Sequence, residues 1–301
     1  MKMIQVKNVS KSFDDTEALS HVHLQVKKGS IYGLLGSNGA GKTTLLKLLV
    51  GLYVQDKGDI SINKNAVFEN VAIKNKLVFI PDTLYFYSQY TVKQMADFYK
   101  SIYSTWNEER FQKLNKVFEM NVNKKIQQFS KGMQRQVAFW LSLSVMPEVL
   151  ILDEPFDGLD PVMRKEVKNL IIQDVAEREM TVLISSHNLR EVEDICDHIG
   201  ILHKGTMMLE KDLDDLKSDV HKIQVAFTQG VPQDFFANIT LLHKEERGSV
   251  MLCIVKGRKD EVVSYIHQYE PVIFDLLPLT LEEIFIYEMG DTGYAIKNIL
   301  V

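Results

Sequence analysis

Cysteine is scarce in this chain: among 301 residues there are two, Cys196 and Cys253. They lie far apart, and neither stands in a C-x-x-C pair or at a metal-ligand spacing, which argues against a thiolate metal site or a local redox pair. Two such thiols fit a reducing compartment, where they serve as small buried apolar groups. Long apolar runs are missing too. No stretch reaches the roughly 18 consecutive apolar residues that a spanning helix needs, so the chain is expected to serve a membrane only through a partner. The opening residues, MKMIQVKNVSKSF, hold no apolar run suited to a secretory signal. A basic excess is absent: 35 Lys and Arg stand against 40 Asp and Glu, for a net charge of −5. No nucleic-acid partner is expected from that balance. Internal repeats and low-complexity segments are also lacking.

What is present is ordinary globular material, 46% hydrophobic and 25% charged, and long enough for two domains. "MIQVKNV" and "LSHVHLQVKKG" alternate like half-buried strands, with His21, His23 and Gln25 opposite Val22, Leu24 and Val26. The H-x-H pair suggests a metal site, but no third ligand is nearby, and a solvated strand face is the expectation. "SIYGLLG" is a continuous apolar run of the kind buried on both faces of a sheet. After residue 90, Thr91 is a plausible N-cap for a helix that places Val92, Met95, Tyr99 and Ile102 on one face. A helix near 108–119 and another after Ser130 complete a mostly helical insert over about 84–146. Strand and helix then alternate through "EVLILDE", "TVLISSH" and "HIGILHKG", which predicts a parallel α/β core. From about residue 219 short strands and two helices suggest a small α+β domain over 219–301, after a first domain over 1–218. In the last helix Leu281, Ile284, Phe285 and Met289 share one side.

"GSNGAGKTT" follows the buried strand and opens a helix. It fits G-x-x-x-x-G-K-[ST], the phosphate-binding loop of P-loop NTPases. Gly36, Gly39 and Gly41 let the backbone aim N–H groups at phosphate oxygens, with Ser37, Asn38 and Ala40 between them. The helix N-terminus adds partial positive charge. Lys42 can reach the β- and γ-phosphates of ATP, Thr43 can ligate Mg²⁺, and Thr44 continues the loop into the helix. Downstream, "EVLILDEP" ends a buried strand in two acids, at the place where open α/β sheets bind ligands. Asp153 suits a Mg²⁺ shell. Glu154 is placed to orient and deprotonate a water.

Between these motifs "FSKGMQRQ" resembles the signature sequence of the ATP-binding cassette (ABC) transporter ATPases, at Ser130, Gly132 and Met133, with Lys131 where the motif usually carries a second glycine. Ser130 equally suits a simple helix cap. "FDGLDP" resembles that family's D-loop, with Asp160 before Pro161, a good helix start in any protein. "ISSHN" resembles its switch histidine at His187, and Phe13 its adenine-stacking aromatic, although a packed core phenylalanine is the alternative. The resemblance spans about residues 3–215. It implies a P-loop NTPase core with an N-terminal antiparallel β subdomain and a helical insert, and an ATP- and Mg²⁺-dependent hydrolase. It further implies a head-to-tail homo- or heterodimer, in which Ser130 of one subunit faces the phosphates held by Lys42 of the other, with His187 touching the γ-phosphate.

A permease on a separate polypeptide follows from the same resemblance, which places the subunit at the cytoplasmic face of the membrane. The tract before the signature, the ending "LPLTLEEIFIY" and the C-terminal domain are similar to stand-alone ATPases of bacterial exporters of antimicrobial peptides, drugs or other amphipathic molecules. A weakly hydrolysing regulatory partner and an importer ATPase are the alternatives. One position departs from the family: Asp82, in "FIPDTLYF", stands where the family carries a glutamine near Mg²⁺ and the attacking water. Tyr85, Phe86, Tyr87 and Tyr90 just after it are expected either to receive a helix of the permease or to pack within the insert.

Overall fold

The computed structural model describes residues 1–280 together with Glu283, Ile284 and Tyr287. The chain divides into two compact units, Met1–Glu210 and Lys211–Val301. The first begins with β1 (Lys2–Phe13), β2 (Thr16–Lys27), β3 (Ile31–Leu35), α1 (Lys42–Leu49), β4 (Lys57–Ile62), β5 (Asn65–Ala66), α2 (Val71–Lys74) and β6 (Leu77–Ile80). The helices α3 (Val92–Ile102), α4 (Glu108–Phe118) and α5 (Lys131–Ser144) follow. After them come β7 (Val149–Asp153), α6 (Pro161–Arg178), β8 (Thr181–Ser186), α7 (Leu189–Glu193), β9 (His198–His203) and β10 (Thr206–Asp212).

β1 pairs antiparallel with β2 on one side and β4 on the other, giving a four-stranded sheet in the order β2-β1-β4-β5. The alternation in β2 has the expected sense: Val22, Leu24 and Val26 are buried and His21, His23 and Gln25 face outward. The His21 ring nitrogen Nδ1 lies 2.8 Å from Asn8 Oδ1, and His23 Nδ1 lies 3.0 Å from the His21 carbonyl. The two imidazoles therefore meet main-chain and amide groups on the strand face rather than each other.

The second sheet has the order β10-β9-β3-β8-β7-β6, and β9, β3, β8, β7 and β6 run parallel. β3, β7 and β8 are buried at every residue, which is why their sequences are unbroken apolar runs instead of alternating ones. β8 is inserted between β3 and β7, so the carboxyl ends of three strands distant in sequence stand side by side: Leu35 pairs with Ser186, and Asp153 with Ser185. That edge collects the chemistry.

In the helical insert Thr91 caps α3 through a full capping box with Gln94. Val92 and Met95 are buried as expected, but Ile102 is 49% exposed. Ala96, not Ile102, completes the inward face, because α3 ends at Ile102 and no longer packs there. Trp140 of α5 stacks on Phe111 of α4 at 4.5 Å and donates its indole N–H to the Phe111 carbonyl, which satisfies the polar end of a fully buried side chain.

The second unit holds α8 (Leu213–Asp219), β11 (Val220–Ala226), β12 (Thr240–Arg247), β13 (Val250–Lys256), α9 (Lys259–His267) and β14 (Ile273–Leu277). Its antiparallel sheet has the order β12-β13-β11-β14. Ile223, Val225, Phe235, Met251, Cys253 and Val255 form its core with Val262 and Ile266 of α9. The sequence places the domain junction at 218/219, whereas α8 falls in the second compact unit. Of the expected last helix, Ile284 is buried; Leu281, Phe285 and Met289 lie outside the described residues.

Candidate active site

The loop after β3 wraps a cavity of about 490 Å³, lined by Ser37 to Thr44 together with Thr16, Glu17, Ala18, Asp82, Glu154, Lys204 and Gly205. Gly41 takes φ of 105°, and a Cβ there would stand 2.7 Å from the Ala18 carbonyl, so no other residue fits this turn. Lys42 begins α1 and is only 6% exposed. Its Nζ donates to the carbonyls of Gly36 (2.6 Å) and Ser37 (3.3 Å) and lies 3.1 Å from Glu154 Oε1. That last contact is an ion pair without hydrogen-bond alignment, since Oε1 is buried and accepts no hydrogen bond.

Asp153 closes β7 and is 1% exposed. It accepts from the Thr43 hydroxyl at 2.8 Å and the Ser185 hydroxyl at 2.6 Å. Among the described residues no basic side chain pairs with it. A buried carboxylate satisfied only by neutral donors is costly, and the all-oxygen set of Thr43 and Asp153 is of the kind that takes a hard cation. Ser185 also receives the main-chain N–H of Glu154 at 3.0 Å. Glu154 itself adopts φ of 45°, a strained backbone for a residue with a Cβ, held by that hydrogen bond and by its side-chain partners. Its Oε2 lies 2.9 Å from His187 Nδ1 and accepts from the His187 main-chain N–H at 3.3 Å. Lys42, Asp153, Glu154, His187 and Thr43, from three different strand ends, thus form one cluster. Asp157 stands beside it, with ligand-type atoms of Glu154, Asp157 and His187 within 4.8 Å of one another.

Other expected residues are placed differently. Phe13 is 39% exposed and is not part of the cavity lining; it meets Tyr53 edge-on at 5.2 Å, with the Lys11 ammonium 5.4 Å from its ring centre. It is therefore not a packed core phenylalanine. Ser130 caps α5, accepting from the Met133 N–H at 3.3 Å. Gly132 abuts the turn after β7: a Cβ there would stand 2.4 Å from the Gly158 carbonyl. Asp160 caps α6 through the N–H groups of Val162 and Met163, each at 3.0 Å. Asp82 lines the phosphate-loop cavity and also a second cavity of about 370 Å³, shared with Lys131, Arg135, Asp157 and Gly158. Of the aromatics after it, Phe86 is buried, Tyr85 is 84% exposed, and Tyr87 packs edge-on against Phe98 at 5.5 Å.

Sequence reasoning missed Ser185, which ties both acids to β8; its only signal was a second serine before His187 in "ISSHN". Arg135 was missed as well. Glu17 and Lys204 carry no motif at all and enter the cavity wall through folding alone.

A family model described as ABC transporter matches residues 19–157. The ABC transporter ATP-binding protein YtrB of Bacillus subtilis (strain 168) is 34% identical over 289 residues, covering 96% of this chain and 98% of that protein. The chain belongs to the ATP-binding subunits of ABC transporters. The bacitracin transport ATP-binding protein BcrA of Bacillus licheniformis is 34% identical over 71% of each chain. The lantibiotic transport ATP-binding protein SrtF of Streptococcus pyogenes is 34% identical over 70% of this chain and 92% of its own. A solved structure of an ATP-binding subunit of an ABC transporter superposes with a TM-score of 0.67 at 29% identity, covering 71% of this chain and 92% of that one. The fold is therefore the mixed α/β P-loop NTPase cassette with its antiparallel β subdomain and helical region. This cassette is an ATP-binding, ATP-hydrolysing transporter subunit. The ATP-binding cassette MJ0796, solved as a dimer with ADP and Pi, shares the fold with a TM-score of 0.63 at 23% identity, covering 70% of this chain and 99% of that one. Among the described residues no helix is long and apolar enough to cross a membrane.

Proposed function

We propose that this chain is the hydrolysing motor of an exporter that moves a peptide, drug or other amphipathic compound through a separate membrane permease. It would sit at the cytoplasmic face of the membrane, held there by that permease. The observation that carries the motor reading is the single cluster of Lys42 and Glu154, which line the phosphate-loop cavity, with His187 hydrogen-bonded to Glu154. The export reading is supported by relatives whose names concern bacitracin, lantibiotic and linearmycin. The similarity to YtrB runs over nearly the whole chain, including the small C-terminal unit.

In this reading the loop from Gly36 to Thr44 and the Lys42 ammonium hold the phosphates, in place of the carbonyl contacts that Lys42 makes otherwise. Thr43 and Asp153, with Asp82 of the cavity lining, would hold Mg²⁺, which supplies charge neutralisation on the phosphate oxygens when bound. Glu154 orients a water and takes its proton at a carboxylate oxygen. His187 steers that carboxylate through Nδ1 and presents its remaining edge to the γ-phosphate. Ser130, Gly132 and Met133, at the N-terminus of α5, would contribute to the ATP of a second subunit in a head-to-tail dimer, with Asp160 near the same junction. Phe13 would stack on the base.

The test is the ATPase rate of the purified chain beside Glu154→Gln, which keeps the shape and removes the base. Hydrolysis should fall by about 10²–10⁴-fold while nucleotide binding persists. An unchanged rate would remove Glu154 from its role. For the substrate class, resistance to amphipathic peptide antibiotics should rise when the chain is expressed with its permease, and recovery of a solute-binding protein in the complex would speak for import instead. Asp82→Gln should leave nucleotide binding nearly intact; its loss would show that the carboxylate does more than meet the metal.

A further inference from the structure

Arg135 belongs to α5 in the helical insert, yet its side chain works outside it. It is 7% exposed. Nη1 donates to the carbonyl of Pro81 at 3.1 Å and Nη2 to the carbonyl of Asp82 at 2.8 Å, while Asp82 Oδ1 lies 3.6 Å from Nη2. One planar fork therefore grips two successive carbonyls just beyond β6, a geometry that a lysine ammonium cannot reproduce. A buried guanidinium must be satisfied, and here its short contacts are main-chain oxygens. The carboxylate of Asp82 is nearer the limit of an ion pair and its side chain is 56% exposed. It stands on the wall shared by the phosphate-loop cavity and the cavity of Lys131, Arg135 and Asp157. Pro81 stiffens the same segment by fixing its own φ.

We propose that Arg135 is a positioning residue that links the nucleotide cavity to the helix headed by Ser130. It fixes the main chain at Pro81 and Asp82 so that the Asp82 carboxylate can serve the phosphate cavity, and it offers that carboxylate a second, weaker station at the guanidinium. Movement of Asp82 between the two is thereby felt by α5, which carries both Arg135 and the Ser130 cap. This rests on the reading of Asp82 as a cavity ligand given above.

The experiment uses the full chain with Arg135→Gln, Arg135→Lys, Asp82→Asn and the double variant Arg135→Gln/Asp82→Asn. It measures the dissociation constant of a fluorescent ATP analogue, then kcat and KM for ATP hydrolysis. Arg135→Gln should lower kcat by about tenfold to a hundredfold with the dissociation constant within about threefold, as expected for misplacement rather than lost binding. Arg135→Lys, able to reach one carbonyl, should fall between. The double variant should be no slower than Arg135→Gln, because the two side chains act through one contact. A kcat for Arg135→Gln within about twofold of the parent would overturn the proposal, as would losses that simply multiply. If kcat, affinity and unfolding midpoint drop together in both Arg135 variants, the residue is merely structural and the proposal also fails. If Asp82→Asn has no effect while Arg135→Gln is slow, the main-chain clamp stands and only the reading of the Asp82 carboxylate falls.

Discussion

In the first unit Asp153 and Lys42 are 1% and 6% exposed, and the largely buried Glu154 joins Lys42 to His187, whose side chain is 45% exposed. In the second unit Lys222–Glu283 is half-buried, but other ion pairs run along the surface: Glu246 of Lys244–Glu246 has 64% of its side chain exposed, and Arg247 of Arg247–Glu245 has 67%. The difference lies in what the charges cost. A buried charged cluster is expensive and persists where something repays it, here a phosphate-binding cavity; exposed pairs cost little and contribute little. The second unit's order comes from Phe235, whose ring meets Phe227, Phe236 and Tyr269 edge-on at 5.0, 5.0 and 5.4 Å. The first unit adds a charged cluster to an apolar core of its own, whereas the second is held by apolar packing.

The largest effect that would sharpen this contrast is Phe235→Ala. Emptying the centre of the second core should cost about 3–5 kcal/mol. Hydrogen exchange should lose protection over β11, β13 and α9 while ATP hydrolysis continues; equal loss over β3, β7 and β8 would break the contrast. Cys253 serves as a reporter, since burial pushes its thiol up to about 11. At pH 8 both buried thiols should be unreactive in the parent protein, labelling of Cys253 rising only as pH approaches that value, and Phe235→Ala should speed the reaction at Cys253 and not at Cys196.

Lys42→Ala comes next and tests the opposite side. It should lower ATP hydrolysis by about 10²–10³-fold, read in a steady-state assay, without shifting the second unit's protection. Gly132→Ala should follow with about 1–3 kcal/mol of destabilisation, because the added Cβ meets the Gly158 carbonyl and must push α5 off the turn after β7. A chemical-denaturation midpoint equal to the parent's would show that the turn yields instead. Smallest of all is Glu246→Ala: thermal unfolding should be unchanged, as for an exposed ion pair. A clear drop would mean that surface charge does organise the second unit.

Much of the first unit was legible because its signals are local. The run "SIYGLLG" must be buried on both faces, and "GSNGAGKTT" carries its geometry in glycine φ and in the spacing of Lys42 and Thr43. The caps at Thr91, Ser130 and Asp160 are likewise short-range hydrogen bonds. Where the reading strayed, the cause was contact. Ile102 keeps the helical period yet is exposed because α3 ends there.

By itself, then, the sequence determined the elements, the phosphate loop and the two acids at the end of β7, since each is set by backbone preference and burial within a few residues. Tertiary structure alone decided that β8 lies between β3 and β7, which delivers Ser185 to Asp153 and His187 to Glu154 across more than thirty residues of chain. It alone decided that Arg135 reaches back to Pro81 and Asp82, and that Gly132 meets Gly158. Those contacts depend on strand order and on the packing of α5. Neither leaves a periodic trace in the chain, because a single long-range neighbour changes one residue and not a pattern.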